Sequence, residues 1–364
     1  MPTLADVSYM NTGASSPGVE PVVEAVCEAE RRFQYEAPME EGMYAGAYEA
    51  FDETRGTVAE FLGVGDEPTS VCLTNSTADG MSRVATAVPW ERGDGVVTTT
   101  LEHPAGELPW ERLSQTRDVE VRTVGHDGGR LDLDALADAA ADARLVCFSA
   151  LDWGYGRRQD VRAAVETAHD AGARVLVDAV QSVGQGEVDV SEWGADFVAA
   201  ASHKWLLGPW GAGFLYVDPE AAEWLSPERV SYRSVQRGDE FAFAPGAKRL
   251  EVGTSSVAPY AGLRRAIELV RDEVGYDAIT SRIERLTDRL KEGLGDRLLS
   301  PREYHSGLVT FEADDPTGTV SAVRESDVVV RDIPEPEAVR ASLHVFNTAA
   351  DVDRLLDALD EHDV

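Results

Sequence analysis

Between residues 17 and 217 the chain alternates short apolar runs with helix-like stretches, and this alternation limits the fold more than any other feature. The runs are VCLT (71–74), VVTTT (96–100), VEVRTV (119–124), RLVCFSAL (144–151), RVLVDAV (174–180), DFVAAA (196–201) and GFLYV (213–217). Each has strand length, and most are apolar at consecutive positions, as strands covered on both faces require. Helical patterning fills most of the gaps, at 78–88, 133–141 and 160–171. Strands alternating with helices predict an α/β fold, a mainly parallel seven-stranded sheet between helices. Ligands of such sheets bind outside the strands' carboxyl ends, so polar residues just after each run are the first candidates for chemistry.

The pattern changes beyond residue 250. Tyr276–Leu294 reads as an amphipathic helix, with Ile279, Ile283, Leu286, Leu290 and Leu294 on one stripe. Strand candidates follow at 307–311, 327–331 and 340–346. A last helix starts after Thr348, whose offset to Asp351 matches a capping box. We expect a large domain over 17–274 and a smaller α/β domain over 275–364, with 1–16 packing on the latter.

Charge excludes several function classes. Lysine and arginine number 33 against 66 acidic residues, a net charge of -33. Such a surface repels phosphate backbones and anionic membranes, so neither nucleic acid nor membrane is an expected partner. Only three lysines occur: Lys204, Lys248 and Lys291. An acidic, lysine-poor chain has the composition of a protein from a salt-loving organism, a halophilic archaeon. At ~1 M salt the Debye length shrinks to about 3 Å, which screens carboxylate self-repulsion. Cys27, Cys72 and Cys147 are odd in number and lack CxxC spacing. Cys72 and Cys147 sit inside apolar runs and read as inert buried thiols; a reducing cytoplasm and no metal site are the expectation. The N-terminus has no signal pattern and no run of 18 apolar residues occurs.

Among the lysines, Lys291 falls on the polar side of its helix and reads as solvated. Lys248 reads as a loop edge. Lys204 directly follows the apolar run DFVAAA, in Ser202-His203-Lys204-Trp205, and precedes a glycine-bearing turn. A lysine at a buried strand end is costly unless paired, and its pKa falls on burial, which is how Schiff-base lysines arise. Taken alone it could equally snorkel to solvent. Asp178 ends another apolar run 26 positions earlier, with Gln181 close behind.

The stretch from Asp178 through Ser202-His203-Lys204 resembles the core of class V aminotransferase-fold enzymes that use pyridoxal 5'-phosphate (PLP). Within them it is most similar to the group of cysteine desulfurases, selenocysteine lyases and isopenicillin-N epimerase-like proteins. The likeness runs from about Tyr9 to Leu359. It implies PLP-dependent transferase fold type I and a homodimer. It also implies roles. Lys204 holds the cofactor as a Schiff base and carries the substrate α-proton. Asp178 pairs with the pyridinium nitrogen, Gln181 reaches the phenolic oxygen, and His103 stacks on the ring. Ser76, Thr77, Ala78, Ser202 and His203 contact the phosphate, and Thr254 reaches the phosphate of the neighbouring subunit. Arg340 binds the α-carboxylate of a small amino-acid substrate. Read without the resemblance, Ser76–Ala78 is a helix cap and Arg340 a rim arginine facing the many acids.

Two departures matter. Desulfurases of the group carry a nucleophilic cysteine on a loop before the carboxylate arginine; the corresponding segment, RDIPEPEAVR (331–340), is short and has none. The family asparagine near the ring hydroxyl is replaced by Asp152 or Trp153. The expectation is therefore transamination or β-elimination, including C–S lysis, without a persulfide cysteine. A desulfurase-like sulfur transferase and a non-catalytic PLP-fold binding protein are the rivals.

Overall fold

The computed structural model describes every residue except 2, 3, 41, 43, 66, 67 and 237. Seven strands form the central sheet. Outside it lies β1, Ser8–Tyr9; the seven are β2 Val71–Thr74, β3 Gly95–Thr99, β4 Glu120–Val124, β5 Ala143–Ser149, β6 Arg174–Asp178, β7 Phe197–Ala201 and β8 Gly213–Val217. Their order across the sheet is β2-β8-β7-β6-β5-β3-β4. All neighbours are parallel except β8, which runs antiparallel to β2 and β7. Every run singled out in the sequence supplies one strand of this sheet.

Strand period explains the consecutive apolar residues. Val71 and Leu73 face one core with Val146, Phe148, Val175 and Val177; Cys72 faces the other with Leu145, Cys147 and Leu176. Helices cover both faces. On the first lie α1 (Ala45–Phe61), α3 (Leu133–Ala140), α4 (Val161–Asp170) and α5 (Ala258–Glu268). On the second lies α2 (Thr77–Ala87), through Met81, Val84 and Ala85.

The C-terminal layer holds a three-stranded antiparallel sheet, β9 (Leu308–Phe311), β12 (Glu337–Ser342) and β11 (Arg331–Pro334), in that order. Helix α6 (Tyr276–Leu294) buries the whole anticipated stripe, from Ile279 to Leu294. Helix α7 (Ala349–Glu361) begins with the anticipated Thr348–Asp351 capping box. β10 (Val328–Val329) pairs in parallel with β1, and Met10 enters this core.

Three local expectations are corrected. The strand expected over 327–331 is split, because 328–329 pairs with β1 whereas Arg331 onward pairs with β12. The strand expected over 340–346 starts earlier and ends at Ser342; beyond it His344 turns inward, its backbone N–H donating to the Asn347 side chain. Lys291 is not solvated: it is 5% exposed, and its Nζ donates to the Glu303 carbonyl at 2.8 Å, because the segment after α6 folds back over that face.

Candidate active site

Parallel strands deliver their chemistry at one edge. Thr99, Ser149 and Asp178 are the last residues of β3, β5 and β6, and Lys204 follows β7 by three positions. Ser149 and Asp178 are direct register partners. Above this edge sits the β11–β12 hairpin, in which Arg331 and Arg340 are register partners. Between them lies a cavity of about 370 Å³, lined by Ser76, Thr77, Ala78, His103, Ser149, Trp153, Asp178, Gln181, His203, Lys204, Trp210, Arg331 and Arg340, among others.

The electrostatics of the cavity follow from burial. Burial lowers the Lys204 ammonium to about 8, against the pull of Asp178, and the charges of Arg340 and Arg331 push the same way as burial. Burial raises Asp178, against a hydrogen bond from the Val180 N–H (2.9 Å) and the charge of Lys204. Burial also holds His103 and His203 down to about 4, so both rings are neutral near pH 7. His203 stacks on Trp210 at 4.6 Å; Trp210 is itself 70% exposed at the cavity mouth.

Gln181 is oriented by its neighbours. Its Oε1 accepts from the Trp205 indole N–H at 2.7 Å, and its Nε2 donates to the Gly13 carbonyl at 3.0 Å. Indole only donates, which fixes the amide orientation and leaves one Nε2 hydrogen for the cavity. Gly184 permits the close packing beneath: at φ +92° a Cβ there would stand 2.4 Å from the Trp205 carbonyl, one residue after Lys204.

Arg340 is fully buried. Its Nη1 donates to the Trp153 carbonyl at 2.7 Å, and its guanidinium carbon lies 5.8 Å from the Trp153 ring centre. Its Nε and Nη2 have no hydrogen-bond partner among the described residues. Arg340 belongs to the cavity lining, and two orphaned donors on such a buried cation are what a bidentate carboxylate needs. The Thr77 hydroxyl is a second orphan. It is buried without a hydrogen-bond partner among the described residues, at the N-terminus of α2 next to the Ser76 N-cap. Backbone N–H groups and hydroxyls at a helix start suit a phosphate.

These features fit pyridoxal 5'-phosphate: an amine held toward neutrality, a carboxylate across from it, and an orphaned hydroxyl at a helix start.

Not every anticipated residue meets there. Ser202 does not line the cavity; its hydroxyl bonds the carbonyls of Pro209 (2.6 Å) and Ala212 (3.0 Å) and shapes the loop after Lys204. Thr254 is exposed, outside this cavity, and bonds the Tyr232 hydroxyl. Asp152 is 1% exposed and accepts the Gly154 and Tyr155 N–H groups in a tight turn. Trp153, not Asp152, therefore faces the cavity, edge-on to His103 at 5.4 Å. No cysteine lines the cavity: Cys72 and Cys147 are buried elsewhere and Cys27 is exposed.

Sequence reasoning missed Arg331 and Glu102. The segment 331–340, read as a short loop, is a hairpin turning at Glu335-Pro336, and its symmetry about that turn puts Arg331 opposite Arg340. The symmetry of RDIP and EAVR around two turn residues was the available signal. Glu102 lies under the cavity floor, accepting from the Thr99 hydroxyl and from the Ser149 N–H and hydroxyl. Burial raises its carboxyl to about 8. Nothing in the sequence around it signals that position.

Comparison with known proteins agrees with the geometry. A probable cysteine desulfurase of Methanothermobacter thermautotrophicus is 31% identical, covering 99% of this chain and 96% of its own. Isopenicillin N epimerase of Streptomyces clavuligerus is 29% identical over 82% of this chain and 81% of its own. The cystine C–S lyase C-DES, solved with its product cysteine persulfide, superposes with a TM-score of 0.91 at 26% identity, over 98% of both chains. In another structure of C-DES glycine is covalently linked to the PLP cofactor. Residues 8–355 match the aminotransferase class-V family, and the chain accordingly belongs to that family, as a PLP-dependent enzyme of fold type I.

Proposed function

We propose that the enzyme removes the α-proton of a small amino acid and carries the reaction to β-elimination, including C–S lysis, or to transamination. The observation that supports this most is the convergence of Lys204, Asp178 and the orphaned Arg340 donors on one cavity. Bound PLP supplies an electron sink conjugated to the substrate Cα. Lys204 would hold the cofactor through its amine, and its Nζ, kept near neutrality by burial, would accept the substrate α-proton. Asp178 would offer its carboxylate to the ring nitrogen and so favour its protonated form. His103, held edge-on by Trp153, would cover one face of the ring. Gln181 offers its spare hydrogen to the phenolic oxygen. Arg340 fixes the α-carboxylate and hence which Cα bond faces Lys204. Ser76, Thr77, Ala78 and His203 serve the phosphate, and Ser202 holds the lysine loop. Thr254, exposed outside its own cavity, reaches the phosphate of a second copy, which makes the unit a homodimer. The setting is the cytoplasm of a salt-adapted cell, where the three free thiols stay reduced.

Sulfur transfer to the protein is disfavoured, since a persulfide needs a cysteine beside the substrate sulfur and none lines the cavity. The test is the visible spectrum of the PLP-loaded protein with a panel of amino acids, Lys204→Ala alongside. A band that shifts with an amino acid, with release of a keto acid, supports the reading. A desulfurase would instead accumulate persulfide on one of its own cysteines, and a binding protein would give no spectral response.

A further inference from the structure

Arg331 raises a question that the proposed function leaves open. In a chain with twice as many acids as bases, most arginines with described contacts sit beside a carboxylate. The two cavity arginines do not: neither Arg331 nor Arg340 has a carboxylate within 4.0 Å among the described residues. Among the described residues the Arg340 guanidinium bonds only the Trp153 carbonyl, and that of Arg331 only the Asp332 carbonyl, at 3.3 Å. They are also direct cross-strand partners on β11 and β12, and both line the cavity. Like charges directly opposite each other repel. Both guanidinium charges bear on Lys204 and His103.

Asp152, buried behind the lining, lends Arg340 part of a counter-charge from outside the cavity. Asp178 balances the cofactor ring nitrogen, and the helix start at Ser76–Ala78 takes the phosphate. A single α-carboxylate balances one guanidinium. The second remains, in a cavity whose only lining carboxylate is Asp178 among the described residues.

We propose that the preferred substrate carries a second anion on its side chain, a carboxylate or similar planar oxyanion, and that Arg331 binds it. This rests on the proposed function. Arg331 and Arg340 then share two anionic groups of one substrate molecule, and their repulsion becomes a recognition device. A guanidinium suits a planar oxyanion because its donors form a fork. A cationic side chain on the substrate is excluded by the same field, which makes the discrimination two-sided.

The experiment is spectral titration of the PLP-loaded full chain with aspartate, glutamate, alanine, cysteine and lysine, in the wild type, Arg331→Gln and Arg331→Lys. We expect aspartate or glutamate to bind on the order of tenfold or more tighter than alanine or cysteine, and lysine weakest of all. In R331Q the ratio of alanine to acidic-substrate Kd falls toward one. R331K keeps part of it, which separates loss of recognition from loss of folding. If cysteine or alanine binds as tightly as the acidic amino acids, or if R331Q weakens all of them equally, the inference is overturned. If no amino acid shifts the wild-type spectrum, the proposed function itself fails, and this inference with it.

Discussion

Replacing Arg340 by methionine should separate binding from stability, because the two effects have opposite origins. Arg340 is fully buried, keeps one hydrogen bond to the Trp153 carbonyl, and leaves Nε and Nη2 unpartnered opposite Arg331. In the free protein this is a desolvated charge with a like charge beside it. Methionine of similar length removes the desolvation cost and the repulsion, and loses one hydrogen bond of about 1 kcal/mol. The folded state should therefore stay within about 1.5 kcal/mol of wild type, or gain stability. Binding behaves otherwise: losing a buried charge-assisted pair with the α-carboxylate costs about 2–4 kcal/mol. At about 1.4 kcal/mol per factor of ten, that is a ~30- to 700-fold weaker amino-acid Kd. Denaturant melts of the PLP-loaded protein measure the first quantity, and amino-acid titration of its visible band the second. A Kd within about threefold of wild type, together with a stability loss above ~3 kcal/mol, would make Arg340 a structural strut and refute the reasoning.

Four further outcomes are expected. Burial lowers Lys204 to about 8, and only the neutral amine can take up the cofactor, so the rate of PLP uptake by the stripped protein should rise with pH and level off above about 8; a rate already maximal at pH 6 contradicts this. Glu102 has its folded pKa raised to about 8, so between its ordinary value and 8 the folded state binds the extra proton and stability falls as pH rises; Glu102→Gln removes that slope, and its advantage over wild type should grow from pH 5 to 8 in melts at each pH. Gly184→Ala combines a positive φ with a Cβ 2.4 Å from the Trp205 carbonyl, and should cost roughly 2 kcal/mol or more in stability and weaken PLP retention through the adjoining Lys204 loop. With a net charge of -33, the melting temperature should climb between low and ~2 M salt, and an unchanged Tm would remove the salt-adaptation reading.

The sheet was legible because strands buried on both faces leave a continuous apolar imprint, as in 174–178 and 197–201. Lys204 and Asp178 stood out as charged residues at the ends of such runs, but Lys204 alone could equally snorkel to solvent, and the resemblance of the stretch from Asp178 to Lys204 is what gave them roles. Arg331 and Lys291 were misread for opposite reasons. The strands of the Arg331 hairpin are four and six residues long and of mixed polarity, too short for periodicity to speak. Lys291 lies on the formally polar side of α6, but burial there depends on a later segment folding back, which a helical pattern cannot reveal. Glu102 is hidden in the same way, since its surroundings come from β3 and β5, which are far apart in the chain. The choice between Asp152 and Trp153 depended on one turn in which the aspartate is consumed by two backbone N–H groups.

The three-lysine composition allows one direct test of the central claim. The PLP-loaded protein is reduced with borohydride, digested and mapped by mass spectrometry. The account predicts a stable pyridoxyl group on Lys204 and none on Lys248 or Lys291. A label on either of those, or no label at all on a protein that has bound PLP, would contradict it.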